Sequence, residues 1–168
     1  MTGLASDTRL ELLSMQHHRV LEDFERDNRE FFARQIGDRG DDFFAHFAEQ
    51  LAERVAENDS GQSLFFVVVG ASGDILARIN LIDIDDPERT ELGYRVAESA
   101  QGRGVATGGV RAALSEADAR GVRTVRARVS TANLASQRVL EHCGFGCEGP
   151  VDAPVGVDKE FVGYRKIL

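Results

Sequence analysis

A chain of 168 residues with 42% hydrophobic and 29% charged residues has the size and make-up of one globular domain, long enough to bury a full core without disulfides or metal. Its 17 glycines against 3 prolines exclude collagen-like and proline-rich disordered chains. The net charge of -8 hides two opposed regions: residues 1–60 carry 14 acids and 7 bases, whereas residues 101–138 set Glu116 and Asp118 against seven arginines. An acidic total alone argues against polyanionic ligands, but the arginine-rich stretch leaves room for a compact one.

The longest apolar run, Leu64 to Val69, falls far short of the ~20 residues of a membrane span. The opening MTGLASDTRLE shows no basic segment followed by an apolar one, so a cytoplasmic location is expected. Cys143 and Cys147, in CGFGC, do not make a disulfide framework, and with His142 they would still lack a fourth zinc ligand. They are expected to be packed or partly exposed thiols, with no metal bound.

Thr8 to Met15 reads as a first strand. From His17 the spacing of Val20, Leu21, Phe24, Phe31, Phe32 and Ile36 is helical, and Phe43, Phe44, Phe47, Leu51 and Val55 predict a second amphipathic helix after the GDRGDD turn. SLFFVVVG and DILARINLID are two strands joined by ASG, a hairpin signal. Glu91 to Ala97 makes the next strand and feeds the glycine-rich AQGRGVATGGV, after which Val110 to Arg120 is predicted helical, ending at Gly121. Val122 to Ser130 is a strand, Asn133 to His142 a helix stopped by Gly144, and Phe145–Glu148 and Glu160–Leu168 are closing strands. No linker divides residues 1–168, so one domain is expected: a mixed α/β (α+β) sheet with helices on its faces.

The informative segment is Gln101-Gly102-Arg103-Gly104-Val105-Ala106-Thr107, between a strand and a helix. Glycines there permit a tight turn that aims backbone N–H groups at one point, where the helix dipole adds positive charge. Such a turn suits a phosphate. It is not a P-loop, because no GK[ST] follows, and the GxGxxG dinucleotide pattern fits poorly because no early βαβ unit precedes it.

QGRGVA resembles the pyrophosphate signature of the GNAT superfamily of acyl-CoA-dependent N-acyltransferases, and Asn133-Leu134-Ala135-Ser136, Val139, Leu140 and Gly144-Phe145 resemble a second element of that family. DNREFF and ELGYRV are similar to the branch that contains ribosomal-protein alanine N-terminal acetyltransferases. The resemblance implies a mostly antiparallel sheet of about seven strands splayed between the fourth and fifth, acetyl-CoA as co-substrate, and an amine acceptor, either a protein N-terminus or a small amine. It implies that the backbone of Gly102, Arg103, Gly104, Val105, Ala106 and Thr107 holds the pyrophosphate, with arginines screening it. The main chain of Tyr94, Arg95 and Val96 would pair with the pantetheine arm, and Asn133 would hold its amides while also capping a helix.

The same resemblance implies direct attack of a neutral amine on the thioester in a ternary complex, with Val96 N–H as an oxyanion donor. Ser136, one helical turn beyond Asn133, would act on the departing thiolate. Many relatives carry Tyr where this chain has Leu140, and some carry a catalytic Glu where it has Arg128. Alignment of the tail puts Val155 where the ribosomal-protein branch can place an acid. Glu91 is therefore the first candidate base, before Asp83 and Asp152, with a structural ion pair as its equal alternative.

Glu22, Asp23, Glu25, Asp27, Glu30, Asp41 and Asp42 would face the acceptor and attract a cation, or else form a solvated surface. His17, His18, His46 and His142 have no Ser or Cys partner that would suggest a triad. Arg120, Arg123, Arg126 and Arg128 lack the interleaved aromatics of a nucleic-acid platform, so no direct nucleic-acid binding is expected. The alternative to an enzyme is a catalytically weak CoA-binding module. The oligomeric state is open, a homodimer included.

Overall fold

The computed structural model describes residues 4–168. The start of the N-terminal segment considered above for a leader lies outside them. Strand β1 (Arg9–Leu12) is followed by helices α1 (His18–Asp27), α2 (Arg29–Gln35), α3 (Asp41–Ala45) and α4 (Phe47–Ser60). Strands β2 (Leu64–Val69), β3 (Ile75–Ile82) and β4 (Glu91–Val96) come next. Helix α5 (Val105–Ala119), strand β5 (Thr124–Ser130), helix α6 (Leu134–His142) and strands β6 (Gly146–Val151) and β7 (Phe161–Ile167) complete the order. Among these residues no helix is long and apolar enough to cross a membrane.

The strands form one seven-stranded sheet in the order β1-β2-β3-β4-β5-β7-β6. Every neighbouring pair is antiparallel except β4 and β5. β2 is buried along its whole length, the pattern of a strand covered on both faces. One cover is α5, through Val110, Ala113, Leu114 and Ala117, and the other is α1 and α4, through Leu21, Phe24, Phe47 and Leu51. The expected mixed sheet with helices on both faces is what the chain forms.

Two local departures have physical causes. The first predicted helix divides at Asn28, whose amide donates to the Phe24 carbonyl at 2.8 Å and whose Oδ1 accepts the Glu98 N–H at 2.9 Å. The Asn28 N–H still reaches the Phe24 carbonyl, at a long 3.3 Å, so the side chain competes with the ladder and bends the helix there without ending its hydrogen bonding. Helix α5 begins at Val105 instead of Val110, because Gly108 and Gly109 are helical residues rather than part of the turn. A Cβ on Gly109 would lie 3.0 Å from Val68 and 3.2 Å from Ile79, so glycine here lets the helix approach the sheet closely.

Candidate active site

β4 and β5 pair only at Glu91↔Arg126 and Leu92↔Ala127 and then diverge. This leaves a cavity of about 650 Å³ whose walls include Tyr94, Val96, Asn133 and Ser136. The Ala97 N–H donates to Leu76 on β3, whereas the Thr90 carbonyl accepts the Arg126 N–H from the β5 side, both at 2.9 Å. Alternation along an extended strand therefore turns the main-chain groups of Tyr94 and Val96 into the opening and those of Arg95 towards β3. Tyr94 and Val96 are thus placed to pair with an extended ligand as an added strand. The expectation that Arg95 also offers its main chain is corrected by this register.

At the end of β4 the Gln101 side chain donates to the Val96 carbonyl at 3.0 Å, tying the glycine turn to the strand. Gly102 and Gly104 have φ of 71° and 75°, the left-handed region where a Cβ costs energy. The α5 ladder opens with Gly108 N–H donating to the Gly104 carbonyl at 2.9 Å, and no side chain caps the helix. The first-turn amides of Val105, Ala106 and Thr107 are those a helix leaves without an internal partner. Together with the turn they offer converging donors and the positive dipole end to a phosphate.

Across the opening, Asn133 caps α6, its Oδ1 accepting the Ser136 N–H at 3.1 Å. Asn133 also lies on the cavity wall. The Tyr94 hydroxyl lies 2.5 Å from Ser136 Oγ and donates to the Ser136 carbonyl at 3.1 Å. Burial pushes the Tyr94 phenol up to about 12, against the opposing effect of its Ser136 hydrogen bond. The group thus stays protonated and acts as a donor. Sequence reasoning assigned Tyr94 its main chain only and missed this hydroxyl. Leu140, set against a Tyr of many relatives by the resemblance, is fully buried, and the phenol that reaches α6 comes from β4. Period-two alternation was the available signal: if Arg95 faces one side of the sheet, Tyr94 faces the other.

The carboxylates take the structural alternative given for them. Glu91 Oε1 accepts two hydrogen bonds from Arg128, at 2.9 and 3.1 Å, and Glu91 is outside the cavity wall. Asp83 and Asp152 are outside it too. Among the described residues the carboxylate on that wall is Asp158, in the β6–β7 loop. The acids of the N-terminal helices do not face the cleft either. Glu22 pairs with Arg26, Asp41 with Arg29, Asp42 with His46, and Glu25 is buried among arginines. The cleft wall instead carries Arg95, Arg128 and Lys159. Cys143 is buried with its thiol 3.7 Å from the Thr107 carbonyl, and Cys147 is exposed.

A sheet parted over a glycine turn, with hydroxyls inside the opening, is the frame of an enzyme that moves an acyl group from a long phosphorylated thioester carrier. The acetyltransferase (GNAT) domain model matches residues 14–146, and the chain belongs to that family, whose members use acetyl-CoA as donor. No curated protein matches. Among solved structures the chain is similar to ribosomal-protein-S5-alanine acetyltransferase from Vibrio fischeri, with a TM-score of 0.89 and 20% identity over 97% of this chain and 94% of that one. It is similar to Mycobacterium smegmatis RimJ in complex with CoA-disulfide, with a TM-score of 0.83 and 20% identity over 95% and 81%. It is also similar to a chimera of spermidine N-acetyltransferase SpeG from Vibrio cholerae and hSSAT, with a TM-score of 0.78 and 19% identity over 96% of both.

Proposed function

We propose that this acetyltransferase transfers the acetyl group of acetyl-CoA to the α-amine of a protein N-terminus, by direct attack in a ternary complex. The observation that carries the reading is the Tyr94–Ser136 pair inside the opening between β4 and β5. Its support for an enzyme over a passive CoA-binding module is that two hydroxyls 2.5 Å apart serve a leaving thiolate and are not needed to hold the carrier. When the one phenol proton of Tyr94 turns from the Ser136 carbonyl to Ser136 Oγ, the serine proton is free to hydrogen-bond the departing sulfur. The Val96 N–H, facing the opening, serves the carbonyl oxygen as negative charge develops on it. Asp158 is the group we assign to take the amine proton, directly or through water.

The charge of the wall supports a peptide over a polyamine. A polyamine needs several carboxylates, and this wall offers Asp158 alone among the described residues, with Lys159 next to it and Arg128 held by Glu91. A protein N-terminus brings one amine followed by peptide carbonyls, which cationic donors can bind. The test is thiol release from acetyl-CoA with ribosomal-protein N-terminal peptides and with spermidine. Turnover of a peptide with little or none of spermidine is expected. Preference for spermidine overturns the acceptor assignment, and no turnover of either favours the binding module.

A further inference from the structure

A second cavity, of about 220 Å³, lies between α1, α4 and strands β2 and β3. That is several times the ~30 Å³ one water occupies. Its wall includes Arg39, Arg78, Arg54, Gln50, Asn80 and Phe43. Beside it Glu25, only 1% exposed, gathers three guanidinium groups. Arg39 donates to both its oxygens at 3.0 and 3.1 Å, and Arg78 donates to Oε1 at 2.8 Å. Arg95 Nη1 is 3.8 Å from Oε2 and is buried without a hydrogen bond.

One carboxylate therefore serves three cations, and Arg78 is itself 7% exposed. The other nearby acids are engaged elsewhere: Glu57 and Glu53 pair with Arg54, at 2.5 and 3.8 Å. A buried charge without a counter-ion is costly, and arginine does not escape the cost by losing its proton. Burial lowers the pKa of both Arg78 and Arg95, and Arg39 adds like-charge repulsion to each. Arg39 and Arg78, which share that one carboxylate with Arg95, line together with Arg54 a space large enough for an anion, with no carboxylate among the described residues of its wall. Asn80 adds a second clue, because its Oδ1 is buried without a partner and needs a hydrogen-bond donor.

We infer that this cavity is a binding site for a small oxyanion that retains a hydroxyl, of which hydrogen phosphate is the simplest, held by Arg39 and Arg78 with its hydroxyl donating to Asn80. Guanidinium forks suit the tetrahedral oxygens. A plain carboxylate would satisfy the arginines and leave Asn80 unserved. The site is separate from the cofactor opening and does not depend on the proposed acceptor.

The test follows the thermal midpoint of the full chain against inorganic phosphate and against acetate, each at constant ionic strength. Phosphate also stabilises many proteins by exclusion from their surface, so the readout is the difference between wild type and Arg39→Gln. Wild type is expected to show a saturable rise with phosphate, at least about tenfold tighter than with acetate, and Arg39→Gln to lose the saturable part. Gln50→Glu, which places a carboxylate at the cavity itself, is expected to abolish the phosphate response. Gly104→Ala, in the cofactor turn, is expected to retain it. A phosphate response equal in wild type and Arg39→Gln, or absent from both, overturns the site. Loss of the response in Gly104→Ala alone assigns the phosphate to the cofactor turn and equally overturns it. Acetate binding as tightly as phosphate overturns the role given to Asn80.

Discussion

The opening between β4 and β5 and the cavity beneath α4 treat polar groups in opposite ways. The first presents unpaired main-chain donors and neutral hydroxyls, with its charged residues on the wall around them. The second concentrates three arginines on one buried carboxylate. The N-terminal region has twice as many acids as bases, yet where it meets the sheet its buried acid, Glu25, is outnumbered by Arg39 of the same region and by Arg78 and Arg95 of the sheet. Summed charge thus describes the outside of this segment and says the reverse about its inside.

The largest effect expected is on the charged side of that contrast. Burial opposes the ionised form of Glu25, but Arg39, Arg78 and Arg95 outweigh it and hold its pKa below the ordinary 4.5. Glu25→Gln keeps the volume and strands the cations, so a loss of ~3–5 kcal/mol in urea denaturation is expected. Because the folded pKa is depressed, Glu25 contributes its stability above about pH 4.5 and loses it as pH falls through the folded value. The variant should therefore show a flatter decline of stability on the acid side. An unchanged urea midpoint would mean that Glu25 does not organise the cluster.

In the neutral opening the same kind of deletion should show in rate rather than in folding. Tyr94→Phe removes the phenol and leaves the ring, and kcat is expected to fall about 10²-fold, the usual scale for a positioned donor. KM for acetyl-CoA should change little, since the main chain of Tyr94 still pairs with the arm. Ser136→Ala combined with Tyr94→Phe should cost scarcely more than either alone, because the two hydroxyls act as a unit. Additive losses would separate them. With the phenol pKa near 12, the kcat profile should show no alkaline break from this group below about pH 10.

Gly104→Ala probes the cofactor turn between these extremes. A Cβ there meets no neighbour, so the left-handed φ of 75° is the whole obstacle, worth about 1–2 kcal/mol. The expected outcome is a modest drop in stability with a raised KM for acetyl-CoA and kcat nearly unchanged. A fall in kcat at constant KM would show that the turn does more than hold the carrier.

Much of the frame was legible in the chain, and the reason is local. The QGRGVA turn, the ASG hairpin and the Asn133 cap are each decided by residues a few positions apart, and each lies where the sequence put it. What escaped depended on distance. Gly109 reads as turn material until Val68 and Ile79 are seen against it, and the acids of α1 read as a cation-attracting face until Arg78 and Arg95, more than fifty positions away, are placed around Glu25. The Tyr94 hydroxyl was missed for the same reason: Ser136 is 42 positions further on.

The smallest effect separates two carboxylates. Glu91 was the first candidate base by position, at the head of the strand proposed to pair with the carrier. In the fold it is 40% exposed in its side chain and joined to Arg128, an arrangement worth about 0–1 kcal/mol. Glu91→Gln should therefore leave kcat/KM within about twofold of wild type and lower stability by less than ~1 kcal/mol. Asp158→Asn should instead lower kcat/KM by ~10²-fold or more if the cleft carboxylate takes the amine proton, and it should do so most at low pH, where the acceptor amine is mainly protonated. A large loss from Glu91→Gln together with a small one from Asp158→Asn would return the proton to the strand end. Equal small losses would leave water as its acceptor, with the cleft supplying only position and the hydroxyl pair.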